Sequence, residues 1–185
     1  MRPQKIPREE LLARCAGVFK RYGYHGTTMD ALAQACELTK ASFYHHYRSK
    51  ESLMNDVLSW THQQISERLF SIAYREDLSG AERFRLMARH SKKLFIEGAI
   101  GCLMGVIAVD AAYSVKALMP QIREFMGEWA AALANIFSEQ VPSSTALEHG
   151  ERAVADYEGA ILLSRIHNDS SYIDRVSERW LGVLV

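Results

Sequence analysis

The chain has 185 residues, 48% of them hydrophobic and 24% charged, and a formal net charge of zero. That is enough apolar material for one or two small helical units with a real core. Its three cysteines, Cys15, Cys36 and Cys102, are far apart in sequence and odd in number, which excludes a disulfide framework and a zinc spacing. There is no signal-like segment and no apolar run of 18 residues, so a reducing cytoplasm is the expected location. Zero net charge alone argues against a nucleic-acid partner, but the distribution reverses that. Residues 1–55 hold nine Lys/Arg against five Asp/Glu, while the remainder holds thirteen against seventeen. A +4 head before a −4 body is the asymmetry expected of nucleic-acid contact at one end.

In chain order, Pro7 fits the first turn of a helix that Gly23 stops after Tyr22, with Leu11, Leu12, Cys15 and Phe19 as its apolar stripe. Thr27 or Thr28 caps the next helix. There Met29, Leu32, Ala33 and Cys36 recur at i, i+3, i+4 and i+7. Leu38 closes a turn, and Thr39 is a good N-cap for a further short helix. In it Phe43 and Tyr47 point one way, and Lys40, Ala41, Tyr44, His45 and Arg48 the other. An apolar back with a front of Lys, Ala, Ser, Tyr and His suits insertion into a major groove. Charged and hydroxyl groups reach phosphates there, and small Ala41 lets the backbone approach the bases. Such a pair of short helices is the geometry of a helix-turn-helix.

Ser49 caps a long helix from Lys50 to about Tyr74, with Leu53, Val57, Trp60, Ile65 and Leu69 among its apolar positions. A helix N-terminus carrying Lys50 is a natural phosphate site. A helix over Gly80–Glu97 follows, with Phe84, Met87, Leu94 and Phe95, and Gly98 and Gly101 break it. The next runs from Cys102 to about Tyr113, and Pro120 opens one to about Glu139 carrying Ile122, Phe125, Trp129, Leu133 and Phe137. Pro142–Thr145 reads as a loop, with Thr145 and Glu148 fitting a capping box before a helix to about His167. Asn168-Asp169-Ser170 turns the chain, and Ser170 or Ser171 caps a last helix through Trp180 to Leu184. No strand-like alternation stands out. The fold class is therefore all-α, about nine helices, with a helix-turn-helix domain at 1–49 and a helical domain at 50–185.

The segment resembles the DNA-binding motif of TetR/AcrR-family bacterial regulators. The resemblance rests on Gly23-Tyr24-His25-Gly26-Thr27-Thr28, on Ala31-Leu32-Ala33, and on Lys40-Ala41-Ser42-Phe43-Tyr44-His45-His46-Tyr47-Arg48-Ser49-Lys50-Glu51, and spans roughly residues 8–58. Glu37 and Ala41 stand where the family usually has Gly. A left-handed Glu37 would cost on the order of 1 kcal/mol. The resemblance implies a first helix that braces the other two and a Thr28 that donates to a phosphate. Together with the helix reading it makes Thr28, Lys40, Tyr44, His45 and Lys50 the residues that hold DNA. Thr39, Lys40, Ala41, Ser42 and His45 lie closest to base edges.

The body resembles the family less specifically, through Gly101-Cys102-Leu103-Met104-Gly105 with Ala108-Val109-Asp110 and through Glu158–Arg165. The resemblance implies that the last two helices pair with a second copy as a four-helix bundle. Gly159, Ala160 and Leu163 on one helix and Ile173, Val176 and Trp180 on the other are the candidate interface. It also implies a small-molecule pocket, for which Met87, His90, Met104, Ile107, Asp110, Phe125 and Trp129 are candidates, with Phe84, Phe95, Tyr113 and Met119 nearby. The effector would be apolar or aromatic, with a cationic group if Asp110 or Glu97 faces the cavity. Cys102 is a candidate redox or electrophile sensor, because some family members use the cysteine of this segment and a helix N-terminus favours the thiolate.

An enzyme is the rival class. Seven histidines and many carboxylates are present, but no nucleophile elbow, phosphate-cradling Gly loop or metal spacing is. Adjacent His45 and His46 point about 100° apart on a helix and make a poor shared metal site. The sequence thus predicts a dimeric repressor released from a palindromic operator by a small effector, with no cofactor, metal or membrane partner.

Overall fold

The computed structural model describes residues 6–185. Among these the chain is helical with no strand, in the order α1 (Arg8–Tyr22), α2 (Met29–Ala35), α3 (Lys40–His46), α4 (Lys50–Arg68), α5 (Gly80–Ile96), α6 (Leu103–Ala111), α7 (Met119–Phe137), α8 (Ser143–His167) and α9 (Ser171–Leu181). Short 3-10 turns occupy Phe70–Tyr74 and Lys116–Leu118. The chain forms two compact units, one ending at Gln63 and including Leu103–Ile122, the other made of Gln64–Cys102 and Arg123–Val185. Among the described residues, no helix is long and apolar enough to cross a membrane.

The first unit is built on α1. Leu11, Leu12, Cys15 and Phe19 are all buried, as are Leu32 and Ala33 of α2, Phe43 of α3, and Leu53, Met54, Val57 and Leu58 of α4. Gly23 ends α1 at φ +73°, with its N–H donating to the Phe19 carbonyl. Thr28, rather than Thr27, caps α2 by accepting from the Ala31 N–H. Thr27 is buried instead, and its hydroxyl donates to the Gly23 carbonyl at 2.6 Å.

The second unit has an aromatic spine. Trp129 of α7 contacts Phe95 of α5, Phe125 of α7 and Tyr157 of α8, and Phe137 contacts Phe84, His149 and Trp180. Helices α7 and α8 approach so closely at Gly150 that a Cβ there would lie 2.2 Å from the Ala130 carbonyl oxygen.

Two expected elements differ from the structure, and one feature was not expected. The helix from Lys50 stops at Arg68, not near Tyr74. The Ser71 hydroxyl bonds the Glu67 carbonyl, and a 3-10 turn lets Phe70, Ile72 and Ala73 all face the core. The Ala73 carbonyl then accepts from Arg83 and Asn135. The capping box expected at Thr145 and Glu148 does not form, because α8 starts at Ser143 behind Pro142. Glu148 pairs with Arg152 instead. A true capping box joins Ser79 and Glu82 at the start of α5, which the reading of residues 80–97 passed over.

Candidate nucleic-acid interface

Helix α2 ends in a Schellman turn. The Leu38 N–H reaches back to the Ala33 carbonyl and the Glu37 N–H to the Gln34 carbonyl, both at 3.0 Å. This requires a left-handed residue at position 37, and Glu37 adopts φ 57°. A non-glycine residue there costs about 1 kcal/mol or more. Arg14 of α1 braces the turn, donating to the Ala35 carbonyl at 3.1 Å and to the Glu37 carboxylate at 2.7 Å.

The chain then enters α3 through Thr39, whose hydroxyl accepts from the Ser42 N–H. With Phe43 in the core, α3 can turn only one face outward. Lys40, Ala41, Tyr44, His45 and His46 are exposed, and Ser42 is half-buried. Lys40 holds Asp30 of α2 in an exposed ion pair. At the far end Tyr47 donates to Asp56 at 2.7 Å and Arg8 donates to the same carboxylate at 2.9 Å, tying α1, α3 and α4 together. Burial, then the bond to Asp56, pushes the Tyr47 phenol up to about 12. Thr28 is exposed at the N-terminus of α2.

Lys50 departs from its expected role. Its ammonium donates to the Tyr24 carbonyl at 2.7 Å and the Thr27 carbonyl at 2.8 Å and sits 4.4 Å from the centre of the Tyr24 ring. Burial lowers its pKa, with Asp110 acting in the opposite direction. Two of its three donors therefore clamp the loop between α1 and α2 from the start of α4, leaving little for a phosphate.

Asp110 also departs from expectation. Its carboxylate is exposed and accepts the His25 backbone N–H at 2.8 Å, while the His25 ring bonds Ser114 at 2.7 Å. Asp110 thus pins α6 to the loop before α2. Of the other pocket candidates, Met104 and Ile107 are buried in the first unit, and Met87, Phe125 and Trp129 in the second. His90 is exposed and Tyr113 is 94% exposed, so neither lines an interior cavity. A surface groove of about 530 Å³ in the second unit is lined by Leu78, Phe84, Arg85, Leu86, Arg89 and Leu181, among others, and by none of the seven candidates.

Cys102 immediately precedes α6 and is buried. Its thiol bonds the Glu158 carboxyl, which burial pushes above the usual carboxylate range. Buried beside a carboxyl, Cys102 lacks the exposed, electropositive surroundings that favour a reactive cysteine. The candidate interface splits in two. Ala160, Ile173 and Trp180 are buried by their own chain, with Trp180 donating to Asp156 at 2.8 Å. Gly159 and Leu163 are exposed and Val176 half-buried. Leu162, within the Glu158–Arg165 segment, and Ile166, just beyond it, are 58% and 64% exposed and continue an outward stripe with Ala155, Gly159 and Leu163 along α8. The signal was present in their i, i+4, i+7, i+8, i+11 spacing.

Residues 11–57 match the family described as bacterial regulatory proteins, tetR family. Residues 81–179 match the C-terminal domain described as transcriptional regulator LmrA/YxaF-like, and so cover more than half of the chain. The chain belongs to the TetR family. It is a DNA-binding transcriptional regulator, and this family is not a class of enzymes. Among its relatives is the HTH-type transcriptional repressor DhaR of Mycobacterium sp. (strain GP1), 24% identical over 91% of this chain and 87% of DhaR. Among solved structures, a TetR regulator from Legionella pneumophila superposes with a TM-score of 0.89 at 22% identity, covering 100% of both chains. A cysteine-substituted CifR, solved with a 26-base-pair operator duplex, superposes with a TM-score of 0.80 at 20% identity, again covering 100% of both chains. At those identities the two structures establish the TetR fold.

Proposed function

We propose that this regulator is a homodimeric repressor, released from a palindromic operator by a small apolar or aromatic effector. Residues 1–49 act as the reading head and 50–185 as the effector and dimerisation body, working in the cytoplasm on chromosomal DNA. The observation that carries this reading is the outward face of α3, a capped helix fixed by Phe43 with Ala41, Tyr44 and His45 exposed to meet a groove beside Lys40 in its exposed pair with Asp30. Thr28, Lys40, Tyr44 and His45 hold phosphates, and Thr39, Lys40, Ala41, Ser42 and His45 approach base edges. Lys50 serves by clamping the loop behind α2. DhaR is named a repressor, which supports the sign of regulation.

Lys40→Ala is expected to weaken binding to every duplex, to differing degrees because the side chain also approaches a base edge, and to reduce the log–log salt slope by about one. Ser42→Ala is expected to change sequence preference while leaving the slope alone. Anisotropy titrations over a range of salt concentrations check both, and a Lys40 variant with altered preference and an unchanged slope would reverse the assignment.

One short reading helix gives weak specificity, whereas two related by a twofold axis read a palindrome. The apolar stripe of α8 supports that pairing, and Gly159 leaves room for a partner helix, with nothing within 4 Å of where a Cβ would stand. Leu162→Glu puts a charge into the stripe, so sedimentation should find a monomer. A Leu162→Glu protein that stays dimeric places the interface elsewhere. An effector that enters among Phe95, Phe125, Trp129 and Tyr157 would favour one arrangement of the body, and it shifts the equilibrium only by its differential affinity for the two states.

A further inference from the structure

Cys15 and Cys36, which are 21 residues apart, meet inside the reading head. Their sulfurs lie 3.7 Å apart, Cys15 on α1 and Cys36 as the C-cap residue of α2, and both are buried. We propose that they form a dithiol–disulfide modification site, oxidised by peroxide-class oxidants, that lowers DNA affinity through the turn between α2 and α3. The inference rests on the reading head as the DNA-binding element. It is independent of Cys102, which lies in the other unit.

The two thiols are not equivalent. Cys36 is shifted toward the thiolate, first by its hydrogen bond with Cys15, against burial, and then by the charge of Arg14, against that of Glu10, while as a thiol it also donates to the Leu11 carbonyl at 3.8 Å. The same bond and burial hold the proton on Cys15. Arg14, bonded to the residues on either side of Cys36, places its positive charge beside that sulfur, so Cys36 acts as the nucleophile and Cys15 as the resolving thiol. The Cys36 thiolate attacks one peroxide oxygen, the O–O bond breaks, and hydroxide leaves with the Cys15 proton as water. The Cys15 thiolate then attacks the sulfenic sulfur of Cys36, the S–O bond breaks, and the departing hydroxide takes the proton first released from Cys36 as a second water. Two thiols lose two electrons and two protons, and one peroxide becomes two waters.

Access and consequence both run through the α2–α3 turn. Cys36 is followed by left-handed Glu37, and Arg14 holds the turn shut by its bonds to Ala35 and Glu37. Local opening of this turn, which stores backbone strain, admits the oxidant. Closing a disulfide then brings the sulfurs from 3.7 Å to about 2.05 Å. Cys36 moves toward α1, and the turn that aims α3 through Thr39 moves with it.

The test treats the full-length protein with hydrogen peroxide and analyses it by non-reducing peptide mass spectrometry. In parallel, binding to a mixed-sequence duplex is measured at low salt, before and after dithiothreitol. Wild type and Cys102→Ser should both yield a Cys15–Cys36 linked peptide and lose at least several-fold in affinity, recovered on reduction. Cys36→Ala should keep the affinity of the reduced protein and be insensitive to peroxide. If no linked peptide forms in wild type, the site is overturned whatever the variants do. If it forms with affinity unchanged, the coupling to DNA is overturned. If the reduced wild type fails to bind the duplex, the DNA-binding role of the head fails first, and the linked peptide then reports on the site alone.

Discussion

Replacing Lys50 with Met is expected to destabilise the reading head by about 2 kcal/mol while leaving the salt slope of DNA binding unchanged. The side chain crosses from the first turn of α4 to the loop before α2, where it meets the Tyr24 and Thr27 carbonyls and the face of the Tyr24 ring. The Tyr24 carbonyl has a second donor in the Thr27 N–H at 3.4 Å, but no other hydrogen bond to the Thr27 carbonyl is seen among the described residues. Methionine keeps the aliphatic stem and removes the donors, so the loss isolates the hydrogen bonds. Charge-assisted bonds of this kind contribute about 1.5–3 kcal/mol, less where water reaches them. Lys50 is half-buried, which places the expectation at about the middle of that range. Urea titration monitored by circular dichroism measures the stability, and anisotropy over a salt series measures the slope. A stable Lys50→Met protein whose slope falls by about one would return Lys50 to the phosphate-binding role expected from its place at a helix N-terminus.

A larger loss is expected from Gly150→Ala. Alanine is the better helix former by about 1 kcal/mol in an exposed helix, so propensity alone predicts a gain. Packing overrides it. A Cβ at position 150 would stand 2.2 Å from the Ala130 oxygen and 3.1 Å from both the Ala130 carbonyl carbon and the Ala134 nitrogen. All three are backbone atoms of α7, so no side-chain rotation relieves the clash, and the two helices must separate. Overpacking costs about 1–3 kcal/mol where side chains can adjust, and more where they cannot. The separation would also loosen the contact of Trp129 with Tyr157 and of Phe137 with His149. Chemical denaturation should show a drop of about 3 kcal/mol or more, and a variant as stable as wild type would mean that α7 and α8 are not closely packed at this point.

What the sequence made legible follows the chemistry that is local. Caps and stops are local, so Gly23, Thr28, Thr39 and Asn168 mark helix ends within a residue or two. The division of α3 into a buried Phe43 and an exposed Lys40, Tyr44 and His45 is a matter of angular spacing, which the sequence carries directly. Direction over a distance is not carried. Lys50 stands at a helix N-terminus, as the sequence indicated, but its long side chain turns inward to two carbonyls contributed more than twenty residues earlier. Asp110 reads as a pocket carboxylate only until His25 is seen to donate to it. Cys15 and Cys36 look unrelated by spacing, because their meeting depends on how α2 folds back against α1. The break in the long helix after Arg68 was hidden for the same reason, since the partners of the Ala73 carbonyl lie on α5 and α7.

In the proposed dimer, α3 reads DNA as one of a symmetric pair. Selection from a randomised pool of duplexes with the purified wild-type protein and its Ser42→Ala variant tests it most directly. Wild type is expected to enrich a twofold-symmetric sequence, and the variant a palindrome with altered bases within each half-site. Enrichment of the same sequence by both proteins, or of no sequence by wild type under conditions where it binds the pool, would contradict it.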